Sequence, residues 1–342
     1  MATIQLKPIA EQVVVVCGAS SGIGRETARQ FAARGAKVVV AARGEEGLAS
    51  LVQEIQDAGG QATAIPCDVS DFAQVKRVAD GAVETYGRLD TWVHAAAVIE
   101  IGLFEHTTPE DFKRIVDVNL VGQAYGAMAA LPHLKDNGGA LVHVSSIEAK
   151  RAFPLHSAYT ASKHGVHGFI EALRIELKHE GLPISLTEVM PATINTPLFD
   201  KGKSTLGVKP MAPPPLYQPN TVAELILYAA AHPTRDLIAG GAGAGILLSQ
   251  RLSQRLLDAL LLRGGFKLQR TNEPQASDAP NNLFAPMTGH DTVEGRFSEM
   301  STPRSLYNWL QTNPMATRGI AVSAAAGIAG VLATRARRGV AG

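Results

Sequence analysis

The chain has 342 residues, of which 46% are hydrophobic, 5% aromatic and 18% charged. Its 32 Lys and Arg stand against 31 Asp and Glu, a formal net charge of +1, which excludes a nucleic-acid binder that works through bulk positive charge. The apolar fraction is too high for a disordered chain. Two cysteines, Cys17 and Cys67, build no disulfide framework, and no close Cys/His set points to a metal. Met1–Glu11 lacks a basic patch followed by a long apolar run, so a cytoplasmic compartment without a secretory signal is expected.

Short apolar runs recur along the chain: Val13–Val16, Lys37–Ala42, Ala62–Ile65, Thr91–Ala95, Leu141–Val144, Ile184–Val189 and Leu237–Ala239. Runs without polar alternation read as strands buried on both faces, the mark of a parallel sheet. Helix-like segments lie between them, at Gly24–Arg34, Leu48–Ala58, Val75–Tyr86, Pro109–Leu131 and Ala158–His179. This alternation predicts an α/β fold, a doubly wound parallel sheet of about seven strands. Residues 1–260 are read as one catalytic domain. Within it the proline-rich Lys209–Pro219 reads as a flap, and Gly240–Gly245 as a flexible exit from the last strand. Residues 261–304 read as a polar linker or a strap on the surface, and residues 305–342 as a tail with an Ala/Gly-rich helix.

Cys17-Gly18-Ala19-Ser20-Ser21-Gly22-Ile23-Gly24 lies between the first strand and the first helix. A pyrophosphate can meet the free N–H groups and positive dipole end of a helix there. Gly18 allows the tight turn, Gly22 the approach of backbone to phosphate, and Gly24 the close packing of helix on strand. An acid ending the second strand would hold the ribose hydroxyls of NAD. The chain has Ala41-Ala42-Arg43 instead. With no acid to repel a phosphate and an arginine to pair with it, the expected cofactor is NADP rather than NAD. Asp68-Val69 ends the third strand, where carboxylate and N–H can read the adenine edge; a helix cap before Gln74 is the alternative.

Tyr159 and Lys163 stand at i, i+4, on one face of a helix. A phenol with a pKa of about 10 is a poor acid or base at neutral pH, and a neighbouring ammonium lowers that value. Ser146 ends the fifth strand, where a hydroxyl can polarise a substrate carbonyl. Asn119 is an amide inside an apolar helix and needs partners; a water leading to the lysine would serve.

These segments resemble the short-chain dehydrogenase/reductase family: CGASSGIG at 17–24, DV at 68–69, VNL at 118–120, SS at 145–146, YTASK at 159–163 and PATINTP at 191–197, all in family order. The resemblance implies a Rossmann fold and a tetrad of Asn119, Ser146, Tyr159 and Lys163. In it Tyr159 is the general acid/base, Ser146 positions the substrate oxygen, Lys163 binds the nicotinamide ribose, and Asn119 holds a relay water. It further implies cofactor contacts from Gly18, Ser20, Ser21, Gly22, Ile23, Gly24, Arg43, Asp68, Val69, Ala95, Ala96, Ile194 and Thr196. A homodimer or homotetramer through the helix carrying Tyr159 is implied as well. The chain departs from the family at Cys17, where threonine is usual, at His94-Ala95-Ala96-Ala97 in place of Asn-Asn-Ala-Gly, and at Pro191-Ala192 in place of Pro-Gly. His94 then reads as a satisfied core histidine, His164 and His167 as helix-face residues without a carboxylate, and His156 as a pocket or loop residue.

The expected reaction is NADP(H)-dependent interconversion of a carbonyl and an alcohol. The apolar Leu198, Phe199, Met211, Pro213–Pro215, Leu216 and Tyr217 favour a hydrophobic substrate, unless they pack on the protein itself. A non-catalytic nucleotide-binding regulator or scaffold is the alternative, and the presence of both Tyr159 and Lys163 speaks against it. Gly319–Thr334 is an uncharged run followed by Arg335, Arg337 and Arg338. It is short of a bilayer span and reads as a helix on a membrane surface, a true span, or a helix packed on protein. Every tetrad and cofactor residue precedes 270, so the segment after it is expected to be dispensable for chemistry.

Overall fold

The computed structural model describes residues 3–317. Seven strands, β1 (Val13–Cys17), β2 (Lys37–Ala42), β3 (Gln61–Pro66), β4 (Thr91–His94), β5 (Gly139–Val144), β6 (Ile184–Pro191) and β7 (Asp236–Ala239), form one parallel sheet. The spatial order is β7-β6-β5-β4-β1-β2-β3. The β-branched runs are strands because both faces are covered: every residue of β1, β4, β5 and β6 is buried. Helices α1 (Gly22–Ala33), α2 (Glu45–Asp57) and α7 (Asn220–Ala231) cover one face through Phe31, Leu51 and Leu225. Helices α3 (Phe72–Tyr86), α5 (Gly122–Leu134) and α6 (Ser157–His179) cover the other through Val78, Ala130 and Ile170. Strand order reverses between β1 and β4, which opens a crevice at their carboxyl ends.

The stretch Pro109–Leu131, expected as one helix, is interrupted. Helix α4 (Pro109–Val116) runs into a π turn at Asp117–Val121 and continues as α5. A π turn inside a helix often marks a functional position, and this one carries Asn119. Gly240–Gly245 is not a flexible exit. Gly240 adopts φ 101° and opens helix α8 (Gly241–Leu252). A Cβ on Gly240 would lie 2.5 Å from the Tyr217 ring, and one on Gly243 would lie 2.8 Å from Ile147. The glycines let the helix start press onto both side chains.

Beyond the short helix α9 (Gln254–Leu260), the polar segment is a strap stitched to the catalytic domain. Arg270–Pro274 pairs antiparallel with Val208–Pro210 in the flap, and Ser301–Thr302 pairs parallel with Leu216–Tyr217. The strap does not merely lie on the surface: Leu283 is fully buried in the apolar cluster that holds Val69 and Val118. Helix α10 (Leu306–Thr312) then caps the open edge of the sheet. Gln311 accepts from the Ile238 N–H and donates to its carbonyl, as a further strand would. No helix among the described residues is long and apolar enough to cross a membrane. The run Gly319–Thr334 and its arginines lie outside the described residues.

Leu283→Ala is expected to lower the unfolding free energy by about 2–5 kcal/mol, as for any fully buried leucine. A residue merely resting on the surface would change it by less than about 0.5 kcal/mol. Urea unfolding followed by circular dichroism distinguishes the two.

Candidate active site

The crevice at the carboxyl ends of β1 and β4 is a single cleft, and the sequence-predicted residues converge on it. Gly18, Ser20, Ser21, Gly22, Ile23, Gly24, Arg43, Asp68, Val69, Ala95, Ala96, Ser146, Tyr159, Lys163, Ile194 and Thr196 all line it. Its floor is tight. Gly18 adopts φ +83°, and a Cβ there would lie 2.5 Å from the Ala96 N atom. The loop can therefore approach the chain after β4 only with glycine at this position. Cys17, below the loop, is fully buried, and burial first, then Cys67, push its thiol well above the usual range. It stays protonated and unreactive.

Ser146 follows β5 and caps the short turn Ile147–Ala149, its Oγ accepting from the Glu148 N–H at 3.1 Å. Tyr159 and Lys163 project from the first turns of α6 as their spacing predicts, with Lys163 Nζ 5.4 Å from the Tyr159 ring centroid. Lys163 is 1% exposed and donates to the Val144 carbonyl at 3.1 Å. Burial pulls its pKa down to about 8, against the opposing carboxylates of Glu148 and Glu188. Tyr159 shifts the other way: burial and then Glu148 push the phenol up, while the Ser146 hydroxyl draws it down. Glu148 is thus a member of the site that sequence reasoning missed, although it lies only two residues from Ser146. Its carboxylate is buried and accepts from Thr160 Oγ1 at 2.5 Å, and it stands 3.0 Å from His156 Nδ1. His156 lines the cleft beside it.

Asn119 does not line the cleft but braces its wall. Its Oδ1 accepts from the Val98 N–H at 2.8 Å, and its Nδ2 donates to the Val98 carbonyl at 2.9 Å and to Ser162 Oγ at 3.2 Å. Ser162 Oγ in turn donates to the Tyr159 carbonyl at 2.6 Å. The amide carried by the π turn therefore ties the loop after β4 to the helix of Tyr159.

At the other end of the cleft, Asp68 Oδ1 accepts from the Ser70 N–H and Oγ, and Oδ2 from Arg114 at 2.7 Å. Burial pushes this carboxyl up, but these bonds outweigh it and hold it below the ordinary value. The cap of α3 is Asp71, not Asp68. Arg43 donates to the carbonyls of Asn282 at 2.5 Å and Leu283 at 3.4 Å, and Arg114 to that of Leu283 at 2.9 Å. The Gly22 N–H donates to the Thr292 carbonyl at 2.8 Å. Asn282, Pro286, Met287 and Asp291 line the cleft. The strap forms part of the wall, which speaks against the expectation that everything after residue 270 is dispensable for chemistry. Sequence reasoning also missed Lys201, whose Nζ donates to Ser21 Oγ at 2.7 Å. No local pattern singles out either, because both reach the cleft only through the fold.

Two histidines, His94 and His167, depart from expectation. His94 is a core residue, 0% exposed, but it is not satisfied: neither ring nitrogen has a hydrogen-bond partner among the described residues. Burial holds it neutral, and it cannot replace the family's asparagine bonds. His167 does have carboxylates beside it, Glu188 at 2.7 Å and Glu171 at 3.6 Å, the first contributed by β6. His164 is as expected, on the helix face without a carboxylate among the described residues, its Nδ1 facing the Thr160 carbonyl at 3.0 Å. Among the described residues, no group of three or more His, Cys, Asp or Glu is placed to hold a metal ion.

Lys163 has a folded-state pKa below its unfolded value of 10.5. The fold therefore bears the full cost of the buried charge below about pH 8, and the cost fades as pH rises to 10.5. Lys163→Met is expected to raise the unfolding free energy by about 1–3 kcal/mol at pH 7, with the gain vanishing toward pH 10.5. Urea titrations of both proteins across that range check it.

Residues 12–206 match the short chain dehydrogenase family. The chain is 38% identical over 321 residues to the uncharacterized oxidoreductase YxnA of Bacillus subtilis, covering 93% of this chain and 90% of that one, a match long enough to take in the strap. It is 34% identical over 197 residues to a 3beta-hydroxysteroid dehydrogenase of Mediterraneibacter gnavus, covering 57% and 71%. Among solved structures, an alcohol dehydrogenase from Thermococcus sibiricus superposes with a TM-score of 0.59 at 24% identity, over 66% of this chain and 95% of that one. That likeness speaks for the fold. The family match and the relatives together place the chain in the short-chain dehydrogenase/reductase family of oxidoreductases.

Proposed function

We propose that the protein is an NADP(H)-dependent oxidoreductase that interconverts a carbonyl and an alcohol on a hydrophobic substrate. The observation that carries this reading is the convergence of the glycine loop with Ser146, Tyr159 and Lys163 on one cleft. The cleft fits a dinucleotide: the loop is pressed close by Gly18, and Arg43 and Lys201 bring positive charge that no ion pair neutralises among the described residues. The bound cofactor supplies or accepts the hydride.

The protein's own groups do the rest. In reduction Tyr159 gives its proton to the carbonyl oxygen, and in oxidation it takes the proton from the alcohol. The Ser146 hydroxyl holds that oxygen in place. Lys163 steadies the phenolate left behind and, with a pKa near 8, exchanges a proton at working pH. In this reading Asn119 keeps the wall and the relay on the lysine side in register. Burial, and after it Glu148, keeps the phenol protonated until it reacts, which suits carbonyl reduction. Arg43 selects the 2′-phosphate, and Asp68 and Val69 flank the adenine.

The substrate end of the cleft is lined by Ile99, Phe153, Leu198, Phe199 and Pro213. Leu216 and Met211 instead pack into the apolar cluster of Phe199 and Phe297, and Tyr217 packs under Gly240. The remaining lining still suits a bulky apolar ketone or secondary alcohol, the class to which the steroid substrates of the named relative belong. We assign a homo-oligomeric contact to the outer faces of α5 and α6, where Met128 and Ile175 are 55% and 69% exposed.

Tyr159→Phe is expected to lower turnover by about 10²- to 10⁴-fold with the Kd for NADPH nearly unchanged. Stopped-flow NADPH oxidation with a panel of apolar aldehydes and ketones measures the first and fluorescence titration the second. Retained turnover in this variant overturns the assignment. Arg43→Gln keeps a donor for the strap carbonyls but removes the charge. It is expected to weaken NADPH by about 2–5 kcal/mol and to leave NADH unaffected, read by titration with both. An unchanged preference between the two means that Arg43 serves the strap alone.

A further inference from the structure

Buried cations without anionic partners are costly, and outside the catalytic set this cleft contains one that the mechanism does not use. Lys201 sits at the end of the single helical turn Leu198–Lys201 and is 8% exposed. Its Nζ reaches across the cleft to Ser21 Oγ, in the glycine loop, at 2.7 Å. Its neighbour in sequence, Asp200, is paired elsewhere, with Arg296 at 3.2 Å. The facing acid is Asp291 of the strap, which lines the same cleft and attracts the ammonium from beyond ion-pair distance, while Arg43 repels it. The strap fixes this lysine: the Asn282 N–H donates to the Lys201 carbonyl at 2.8 Å.

We infer that Lys201 binds the pyrophosphate of the dinucleotide, clamped in place from behind by the strap. The inference rests on the dinucleotide reading of the cleft. An ammonium already bonded to the serine hydroxyl of the phosphate loop lies beside the start of α1, where the two phosphates would sit; the Gly22 N–H there is held by the Thr292 carbonyl, which leaves the lysine as a donor the strap does not take. The phosphate oxygens then supply the negative charge that the folded protein does not. Lys201 and Arg43 divide the recognition: Lys201 meets the pyrophosphate, common to NADPH and NADH, whereas Arg43 meets the 2′-phosphate, which only NADPH carries.

The division sets the test. Kd values for NADPH and NADH are measured by fluorescence titration of the full chain, for wild type, Lys201→Met, Lys201→Gln and Lys201→Arg. The Met and Gln variants are expected to weaken both dinucleotides by the same factor, about 10- to 100-fold, the loss of one charge-assisted hydrogen bond. Arg should restore most of it. Adenosine, which has no phosphate, is expected to displace the dinucleotide with unchanged affinity in every variant. Unchanged dinucleotide Kd values in Met and Gln overturn the inference. So does an equal loss of adenosine affinity, which would mean that Lys201 only shapes the cleft. A wild-type protein that binds neither dinucleotide overturns the cofactor reading itself, and this inference with it.

Discussion

The site depends on holding an ammonium in a nearly dry interior. Among the described residues Lys163 has one direct acceptor, the Val144 carbonyl at the end of β5, and it is 1% exposed. Two buried acids, Glu148 and Glu188, support its charge from a distance and do not cancel it. This geometry requires β5, β6 and the first turns of α6 to be rigid together. The sheet provides that rigidity, with β5 and β6 paired along their length and buried on both faces. It also accounts for Glu148. Burial drives the two groups apart, the phenol up and the ammonium down, and the carboxylate of Glu148 raises both: it adds to the shift of Tyr159 and opposes that of Lys163.

The parts of the fold legible in the sequence are those fixed by short-range patterning. Val13–Val16 and Lys37–Ala42 read as buried strands because covering both faces of a sheet demands unbroken apolar runs. Gly18 and the spacing of Tyr159 and Lys163 are legible because a turn and a helix face are local geometry. What escaped is what the third dimension decides. The π turn at Asn119 gives no periodic signal in the stretch Pro109–Leu131. Gly240–Gly245 looks flexible until Tyr217 and Ile147 are seen to occupy the space of the missing side chains. His167 acquires Glu188 from another strand. Lys201 looks like a surface lysine after an acid, and only the fold brings it to Ser21.

The strap shows the same limit most clearly. Its polar composition describes most of its residues correctly, yet one buried leucine, Leu283, docks it beside Val69 and Val118. From that anchor its backbone carbonyls reach Arg43 and Arg114, and Asn282 ties it to Lys201. Farther along, Phe297 packs on Phe199 at the substrate end, with ring centroids 6.4 Å apart. The Phe297 N–H donates to Asn195 Oδ1 at 3.0 Å. The segment thus touches both ends of the cleft, and the substrate wall and the dinucleotide wall share one piece of chain.

That arrangement explains why carbonyls, rather than a carboxylate, hold Arg43. A carboxylate would neutralise the guanidinium and compete with a phosphate for the same donors. Backbone carbonyls orient the fork but leave its net charge intact, so the field it projects into the cleft survives. Lys201 is treated alike, held by the Ser21 hydroxyl and kept out of ion-pair range of Asp291. Both cations are positioned by neutral oxygens around the phosphate loop. In water such charges would be cheap to leave unpaired. In a cleft walled by the strap they are not, and a bound anion offsets a cost that the folded protein already carries. In the proposed reading the strap acts on dinucleotide affinity by ordering these donors before binding.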